Sequence, residues 1–207
     1  APSVPDARER SPGWRAAEWV LGDVRDPAHL AEALERARPD AIFHLAGVSF
    51  VPAAGRDPSG TAEINTLAAA RLLALMRERR DAGALDPTVL VVGSGEQYGR
   101  HDATALPLPE TAELRPHTVY AATKVAQEAF ALAAARADGL RVIATRSFNH
   151  SGPGQAPRFL LPGLVGRVRA LRDARRDARR DAPEPLLLGN QGTTRDFLHV
   201  SDVVAAY

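Results

Sequence analysis

The fold of this chain is decided by residues 88–99, TVLVVGSGEQYG. Four consecutive aliphatic residues at 89–92, between Pro87 and Gly93, are typical of a strand buried inside a parallel sheet. Ser94 follows at the carboxyl end of that strand, where open α/β sheets bind their ligands. The stretch therefore predicts a strand over 88–93 and a ligand site that includes Ser94.

The next helix carries a second chemical signal. Tyr120 and Lys124, in YAATK at 120–124, lie four residues apart in a helix predicted over 118–137, so they project from one face. A positive charge beside a phenol favours the phenolate, so we expect Lys124 to lower the pKa of Tyr120. Tyr120 could then donate or accept a proton near neutral pH. The spacing alone also fits a pair on a helix surface, and its context favours chemistry.

Strands and helices alternate on both sides of this segment. The pattern predicts a strand over 18–24, a helix from Pro27 that stops at Pro39, a strand over 41–45, a helix over 58–80, and a strand over 140–148. Such alternation is typical of an α/β fold with a doubly wound, Rossmann-like parallel sheet.

The pattern changes after residue 148. The glycine and proline content of 149–155, NHSGPGQ, predicts an irregular loop, and a helix begins near Phe159. That helix runs into an Arg/Asp repeat over 172–181, which we expect to be a solvated helical extension because its charges nearly cancel. Short strands over 186–190 and 195–200 then indicate part of a small mixed domain.

Composition excludes several classes of function. A net charge of +1 over 207 residues argues against a nucleic-acid or membrane-surface partner held by charge. No apolar run approaches the roughly 18 residues that a membrane span needs. Zero cysteines exclude disulfides and thiol catalysis and fit a cytoplasmic enzyme. No acidic residue has metal-ligand spacing to a histidine, so we expect no metal.

Several further motifs occur in a recognisable order. They are LGDVRD at 21–26, HLAG at 44–47, Asn65 inside a helix, and RDFLHV at 195–200. With Ser94, Tyr120 and Lys124 they resemble the extended short-chain dehydrogenase/reductase family, in its nucleotide-sugar epimerase/dehydratase branch. The segments FHLAGVSFVP at 43–52 and FNHSGPGQ at 148–155 are most similar to the GDP-6-deoxy-4-keto-mannose reductases, followed by the GDP-mannose 4,6-dehydratases.

The resemblance implies an NAD(P)-dependent enzyme that acts on a nucleotide sugar, with GDP-4-keto-6-deoxymannose as the favoured substrate. Residues 1–148 would belong to the NAD(P)-binding domain and residues 149–207 to a nucleotide-sugar-binding region. The implied catalytic residues are Ser94, Glu96, Tyr120 and Lys124. The implied cofactor-binding residues are Asp23, Val24, Leu45, Ala46, Gly47, Asn65, Tyr120, Lys124 and Phe148. The implied substrate-binding residues are Ser49, Ser94, Asn149 and Arg195.

Each implied role matches the chemistry of its residue. Ser94 would bind the sugar oxygen, Tyr120 would protonate that oxygen, and Lys124 would hold the nicotinamide ribose of NAD or NADP. The Asp23 carboxylate would accept from the adenine amino group. Arg195 would present a planar fork of donors to the diphosphate.

Glu96 keeps an alternative open. In the dehydratases a glutamate at this position removes a proton so that water can leave, and a GDP-mannose 4,6-dehydratase is therefore the second interpretation. A third interpretation is an inactive fragment that only binds a nucleotide sugar or a partner chain.

The phosphate-binding turn of the family is missing. No G-x-x-G-x-x-G pattern occurs, and Gly93-x-Gly95-x-x-x-Gly99 is followed by a proline-rich loop instead of a helix. We therefore expect an internal piece of a longer, homodimeric protein, without its first βαβ unit and part of its substrate domain. Residues 1–207 alone are then expected to bind NAD(P)H weakly.

Overall fold

The structure is a computed structural model and describes residues 17–176, 188–189 and 192–207. The strand predicted over 186–190 and the end of the Arg/Asp repeat fall largely or wholly outside these residues.

A three-stranded parallel sheet organises the chain. Its strands are β1 (Ala41–His44), β2 (Thr88–Val92) and β3 (Val142–Thr145), with β2 in the centre. Because all three run in the same direction, their carboxyl ends share one edge of the sheet. This arrangement confirms the predicted Rossmann-like α/β fold with a parallel sheet.

One helix precedes the first strand, and the others connect the strands. They are α1 (Pro27–Ala37), α2 (Val51–Arg56), α3 (Pro58–Ala62), α4 (Ala68–Asp81) and α5 (Val119–Asp138). Asp26 begins α1 by accepting a hydrogen bond from the Ala28 amide, and Arg38 ends it in the left-handed conformation with φ of 41°. The predicted helix over 58–80 is present, but a π-helical turn at Glu63–Leu67 separates α3 from α4.

The hydrophobic core lies between these helices and one face of the sheet. Val89 and Val91, two residues apart in β2, pack in one cluster with Leu72, Met76 and Ala131 from α4 and α5. Burying one valine, leucine or methionine side chain stabilises the fold by roughly 1.5–3 kcal/mol.

The opposite face of the sheet is more open. Phe43, Leu90 and Ile143 form one row across the three strands. Phe43 is 52% exposed and Ile143 is 49% exposed, whereas Leu90 is buried. The described residues thus cover one face of the sheet well and the other only partly.

A second region follows the sheet. It contains β4 (Asn149–Ser151), α6 (Leu160–Arg176), β5 (Phe197–His199) and α7 (Val200–Ala206), with β4 and β5 paired in parallel. The start of the segment 149–155 is thus a strand, and our prediction of an irregular loop is wrong there. Glycine and proline content could not reveal the pairing of Asn149 with Phe197, because these residues are far apart in sequence.

The strand predicted over 18–24 is also wrong. Residues 17–23 have no regular structure, and Leu21 is 66% exposed. Among the described residues, β1 pairs only with β2. Residues 18–24 therefore have no strand in the described sheet to which they are hydrogen-bonded. Glu18 instead forms an ion pair with Arg36 of α1.

Candidate active site

The site lies where β1, β2 and β3 end. Beyond β2, the Gly93 amide donates to the Thr145 carbonyl at 2.8 Å, and the Gly95 amide donates to the Ser147 carbonyl at 2.8 Å. A Cβ atom on Gly93 would overlap the Thr145 carbonyl. The glycine therefore lets the chain leave β2 close to the end of β3.

Ser94 begins a short 3₁₀ turn, Gly95–Tyr98. Its Oγ accepts from the Glu96 amide at 3.2 Å, and its own amide donates to Gln97 Oε1 at 2.7 Å. This reciprocal pattern is a capping box, which fixes both the backbone and the hydroxyl of Ser94. Ser94 is 8% exposed, so its hydroxyl is buried at the edge of the sheet.

Tyr120 lies in the first turn of α5, next to Ser94. Burial raises the pKa of its phenol, a hydrogen bond from Ser94 lowers it, and the charges of Glu96 and Tyr207 raise it again. The net shift is upward. The expectation that Lys124 lowers the pKa of Tyr120 is therefore wrong for this structure.

The reason is the direction of the Lys124 ammonium. Its Nζ donates to the Val92 carbonyl at 2.8 Å and to Gln127 Oε1 at 2.9 Å. Burial lowers the pKa of Lys124 to about 8. Lys124 is also the single lysine among the chain's 26 lysine and arginine residues. A compact ammonium, which can lose its proton when buried, is thus used at this position alone.

Asn65 connects the β1 end of the site to α5. It lies in the π-helical turn and is fully buried; its side chain accepts from the Val48 amide at 2.7 Å and donates to the Val48 carbonyl at 3.2 Å. It also donates to Thr123 Oγ1 at 3.1 Å. A Cβ atom on Gly47 would lie 3.1 Å from Asn65 Oδ1 and 3.6 Å from Lys124 Nζ. The loop after β1, which also contains Leu45 and Ala46, is therefore held directly beside Lys124.

His44 and Gln127 are two further buried polar residues of the site. His44 is 6% exposed, and burial, followed by the charge of Lys124, lowers its pKa to about 4. Among the described residues, His44 Nε2 and Gln127 Nε2 are buried without a hydrogen-bond partner. At neutral pH His44 is uncharged, which fits a core histidine.

The adenine-side candidates lie at a turn before α1. Arg25 binds the Asp23 carboxylate through Nε and Nη2, at 2.6–3.1 Å, and its amide donates at 2.9 Å. These hydrogen bonds lower the pKa of Asp23 to about 2. Asp23 is thus a permanent acceptor, with Val24 beside it in the turn. Among the described residues, no side-chain hydrogen bond or ion pair joins Asp23 or Val24 to Tyr120 or Lys124.

The substrate-side candidates are more exposed. Asn149 donates to the Asp196 carbonyl at 3.1 Å, and the exposed Arg195 donates to the Thr194 carbonyl at 3.0 Å. Ser49 is exposed in the loop after β1. Phe148 stacks on Tyr98 with ring centroids 6.0 Å apart. The β4–β5 pairing places Asn149 near Arg195, while Ser49 lies with Gly47.

Five polar residues of the site were missed by the sequence analysis. They are Gln97, Thr123, Gln127, Glu128 and Arg146. Gln127 and Glu128 follow Lys124 at spacings of three and four in α5, so helical periodicity could have indicated them. Nothing in the pattern around Arg146 indicates its contact with Glu128.

Two negative observations apply to the described part of the chain. No helix there is long and apolar enough to cross a membrane. In the same part of the chain, no group of three or more His, Cys, Asp or Glu residues is placed to hold a metal ion.

Known proteins are similar to this chain in sequence and in fold. The family profile described as "NAD dependent epimerase/dehydratase family" matches residues 3–207. The chain is 36% identical to GDP-6-deoxy-D-mannose reductase of Pseudomonas aeruginosa over 185 residues, which cover 89% of this chain and 57% of that protein. It is 28% identical to GDP-mannose 4,6 dehydratase 1 of Arabidopsis thaliana over 188 residues, covering 89% and 48%. The chain thus spans about half the length of these relatives.

Solved structures agree with the sequence matches. The structure of RMD from Pseudomonas aeruginosa complexed with NADPH has a TM-score of 0.77 at 36% identity, covering 92% of this chain and 61% of that chain. DesIV, a dTDP-glucose 4,6-dehydratase from Streptomyces venezuelae with NAD and TYD bound, has a TM-score of 0.73 at 30% identity, covering 89% and 51%. On the profile match and these likenesses together, this chain belongs to the NAD dependent epimerase/dehydratase family.

Proposed function

We propose that this chain carries the catalytic residues of an NAD(P)H-dependent reductase that converts the 4-keto group of GDP-4-keto-6-deoxymannose to a hydroxyl. The observation that carries the proposal is the placement of Tyr120 beside Ser94, with Lys124 buried one helical turn further along α5. The 36% identity to GDP-6-deoxy-D-mannose reductase supports this substrate over other nucleotide sugars.

The residues at this edge of the sheet fit a dinucleotide. Gly47 leaves backbone exposed next to Asn65 and Lys124, and a side chain there would fill that space. Lys124 would bind the nicotinamide ribose, and the loop Leu45–Gly47 would contact the rest of the cofactor with Phe148. The ionised Asp23 would accept from the adenine amino group, and the Val24 amide would donate to the ring. Bound NADPH or NADH supplies the hydride.

Tyr120 and Ser94 would complete the reduction. Ser94 would donate a hydrogen bond to the keto oxygen, and Tyr120 would give that oxygen its proton. The raised pKa of Tyr120 keeps the phenol protonated at neutral pH, which suits a proton donor. Ser49, Asn149 and Arg195 would bind the nucleotide sugar, with Arg195 on the diphosphate.

The direct test is an assay of the full-length protein. We expect NADPH or NADH to be oxidised in the presence of GDP-4-keto-6-deoxymannose, and GDP-mannose to be left unchanged. Oxidation with the dTDP-linked keto sugar and not with the GDP-linked one would contradict the proposed substrate.

A dehydratase is the second candidate because of one observation. Glu96 is half-buried in the turn after Ser94, and its charge acts on Tyr120. In that case GDP-mannose would lose water without added cofactor, and Glu96→Gln would abolish the elimination. Under the reductase proposal the same variant retains most of the reduction.

The third candidate is binding without catalysis, and the same assay separates it. A full-length protein that binds GDP-linked sugars in calorimetry but converts neither would support it. We further propose a homodimer for the full-length protein, which sedimentation can test.

A further inference from the structure

We propose that Gln97, Glu128 and Arg146 are positioning residues that hold Ser94 in register with Tyr120. They form a buried chain of hydrogen bonds from the Ser94 backbone to α5, the helix that carries Tyr120. The inference rests on the proposed function, since it concerns the same proton-transfer site.

Gln97 is the first link. It is fully buried, and its side-chain amide is used at both ends. Its Oε1 accepts from the Ser94 amide at 2.7 Å, and its Nε2 donates to Glu128 Oε2 at 2.5 Å. If the Gln97 amide were reversed, its N–H groups would face the Ser94 N–H and its oxygen would face the Glu128 carboxylate. Only the observed orientation therefore satisfies both hydrogen bonds.

Glu128 and Arg146 are the second link. Arg146 donates from Nε to Glu128 Oε2 at 2.8 Å and from Nη2 to Glu128 Oε1 at 2.5 Å, a two-pronged ion pair. Burial raises the pKa of Glu128, but hydrogen bonds from Arg146 and Gln97 outweigh this effect and lower it. The carboxylate is therefore ionised, and both of its oxygens accept hydrogen bonds.

Arg146 also secures the far side of the Ser94 turn. Its Nη1 donates to the Tyr98 hydroxyl at 3.1 Å and to the Glu110 carbonyl at 2.7 Å. Its guanidinium lies 5.0 Å from the centre of the Tyr98 ring. The turn Gly95–Tyr98 is thus held at both of its ends by groups that meet at Glu128.

The position of Glu128 on α5 connects this chain to the reaction. Tyr120, Lys124 and Glu128 are spaced four residues apart, so they lie along one side of the same helix. The Ser94 hydroxyl hydrogen-bonds the Tyr120 phenol. Glu128 accepts from Gln97, which in turn accepts from the Ser94 amide. Two groups on one rigid helix therefore fix Ser94 from both sides.

Two glycines leave the room that this arrangement needs. A Cβ atom on Gly93 would overlap Gln97 Oε1. A Cβ atom on Gly95 would lie 2.9 Å from Phe148 Cδ1. The chain on either side of Ser94 is thus free of side chains at the points where Gln97 and Phe148 approach.

Two variants test the proposal in different ways. Gln97→Met keeps the volume and removes both hydrogen bonds, while Arg146→Lys keeps the charge and loses the two-pronged pair. The matched control is Arg79→Lys, whose exposed partner Glu35 lies 2.7 Å away on α1. In the full-length protein we expect Gln97→Met to lower kcat about 100-fold, because small displacements of reacting groups are that costly.

The pattern of the kinetic constants separates positioning from general damage. The KM for NADPH should stay within about twofold, because the variants leave Lys124 and Gly47 untouched. The double variant Gln97→Met/Arg146→Lys should be no slower than the slower single variant, because both act through Glu128. Additive losses, or equal changes in kcat and in the KM for NADPH, would overturn the proposal.

A second readout needs no turnover. The pKa of Tyr120 can be followed by NMR of the full-length protein with ¹³C-labelled tyrosine, assigned through Tyr120→Phe. Ser94, Glu96 and Tyr207 act on this phenol, and Lys124 lies one turn away. Because Ser94 lowers the pKa, Gln97→Met and Arg146→Lys should raise it, and Arg79→Lys should not.

The two readouts fail separately. If the unmodified full-length protein reduces no keto sugar, the proposed function is wrong, and the Tyr120 titration still decides the positioning role. An unchanged Tyr120 pKa in folded Gln97→Met or Arg146→Lys would overturn the positioning role even if the reductase is active. Should Gln97→Met not fold, Arg146→Lys decides alone.

Discussion

The candidate site has two halves that differ in how their polar groups are bonded. On the α5 side, Lys124 and Glu128 are buried and hydrogen-bonded to groups from other elements. On the β4–β5 side, Arg195 is exposed and donates to the carbonyl of the residue before it. The first half is organised before any ligand binds, whereas the second can exchange its local hydrogen bonds for a ligand at little cost. Chemistry is expected from the first and substrate selection from the second.

The largest expected effect removes the proton donor from the organised half. Tyr120→Phe in the full-length protein should lower kcat by about 1000-fold, within the range that general acid catalysis supplies. Cofactor binding should be nearly unchanged, since Lys124 and Gly47 are intact. Stopped-flow reduction kinetics and a fluorescence titration with NADPH measure the two quantities. Equal kinetics for the variant and the unmodified protein would remove Tyr120 from the site and break the comparison.

This half was also the better predicted one. Strand β2, Ser94 at its end and the four-residue spacing of Tyr120 and Lys124 are all local patterns, and the structure has them where the pattern indicates. The direction of the Lys124 ammonium was not predictable, because it depends on Val92 and Gln127. Val92 belongs to a neighbouring strand, whose approach no helical spacing reveals.

The next effect concerns the stability of the organised half. Lys124 has a pKa of about 8 in the folded chain against an ordinary value of 10.5. A shift of that size corresponds to about 3 kcal/mol of destabilisation at neutral pH, where the buried ammonium is charged. Lys124→Met removes this destabilisation but also loses two hydrogen bonds. The net effect should be a rise of about 1–3 kcal/mol in the free energy of unfolding at pH 7. Turnover and cofactor binding should both fall.

The pH dependence gives this prediction its sign. Between the folded pKa near 8 and the unfolded pKa of 10.5, the unfolded chain binds more protons at Lys124 than the folded chain does. The unmodified chain therefore gains stability over this range as the pH rises, and the variant does not. Urea unfolding measures the free energy of unfolding of both proteins, and the difference between them should be smaller at about pH 10 than at neutral pH. A constant difference, or a less stable variant at neutral pH, would contradict the assignment of a buried charge.

The outer half was predicted less well. The pairing of β4 with β5 joins residues 149–151 to residues 197–199, and the sequence between them gives no signal for it. In the α5 half, the network of Gln97, Glu128 and Arg146 was not predicted for the same reason, since its members come from three separate segments of the chain. Single residue types such as Asn149 and Arg195 could be proposed by resemblance, but their surroundings could not.

The smallest effect is expected from the outer half. Arg195→Gln should raise the KM for GDP-4-keto-6-deoxymannose about tenfold and leave kcat nearly unchanged, because an exposed charged hydrogen bond to a diphosphate contributes little more than 1 kcal/mol. Arg136→Gln removes the same charge from the last turn of α5 and should change neither constant. Added salt should reduce the difference in this KM between Arg195→Gln and the unmodified protein, since screening weakens the interactions of exposed charges. If Arg195→Gln instead lowers kcat as strongly as Tyr120→Phe, Arg195 takes part in the chemical step. The site would then not divide into an organised and an adaptable half, because an exposed side chain that donates to the carbonyl of its own neighbour would be acting on the reacting atoms.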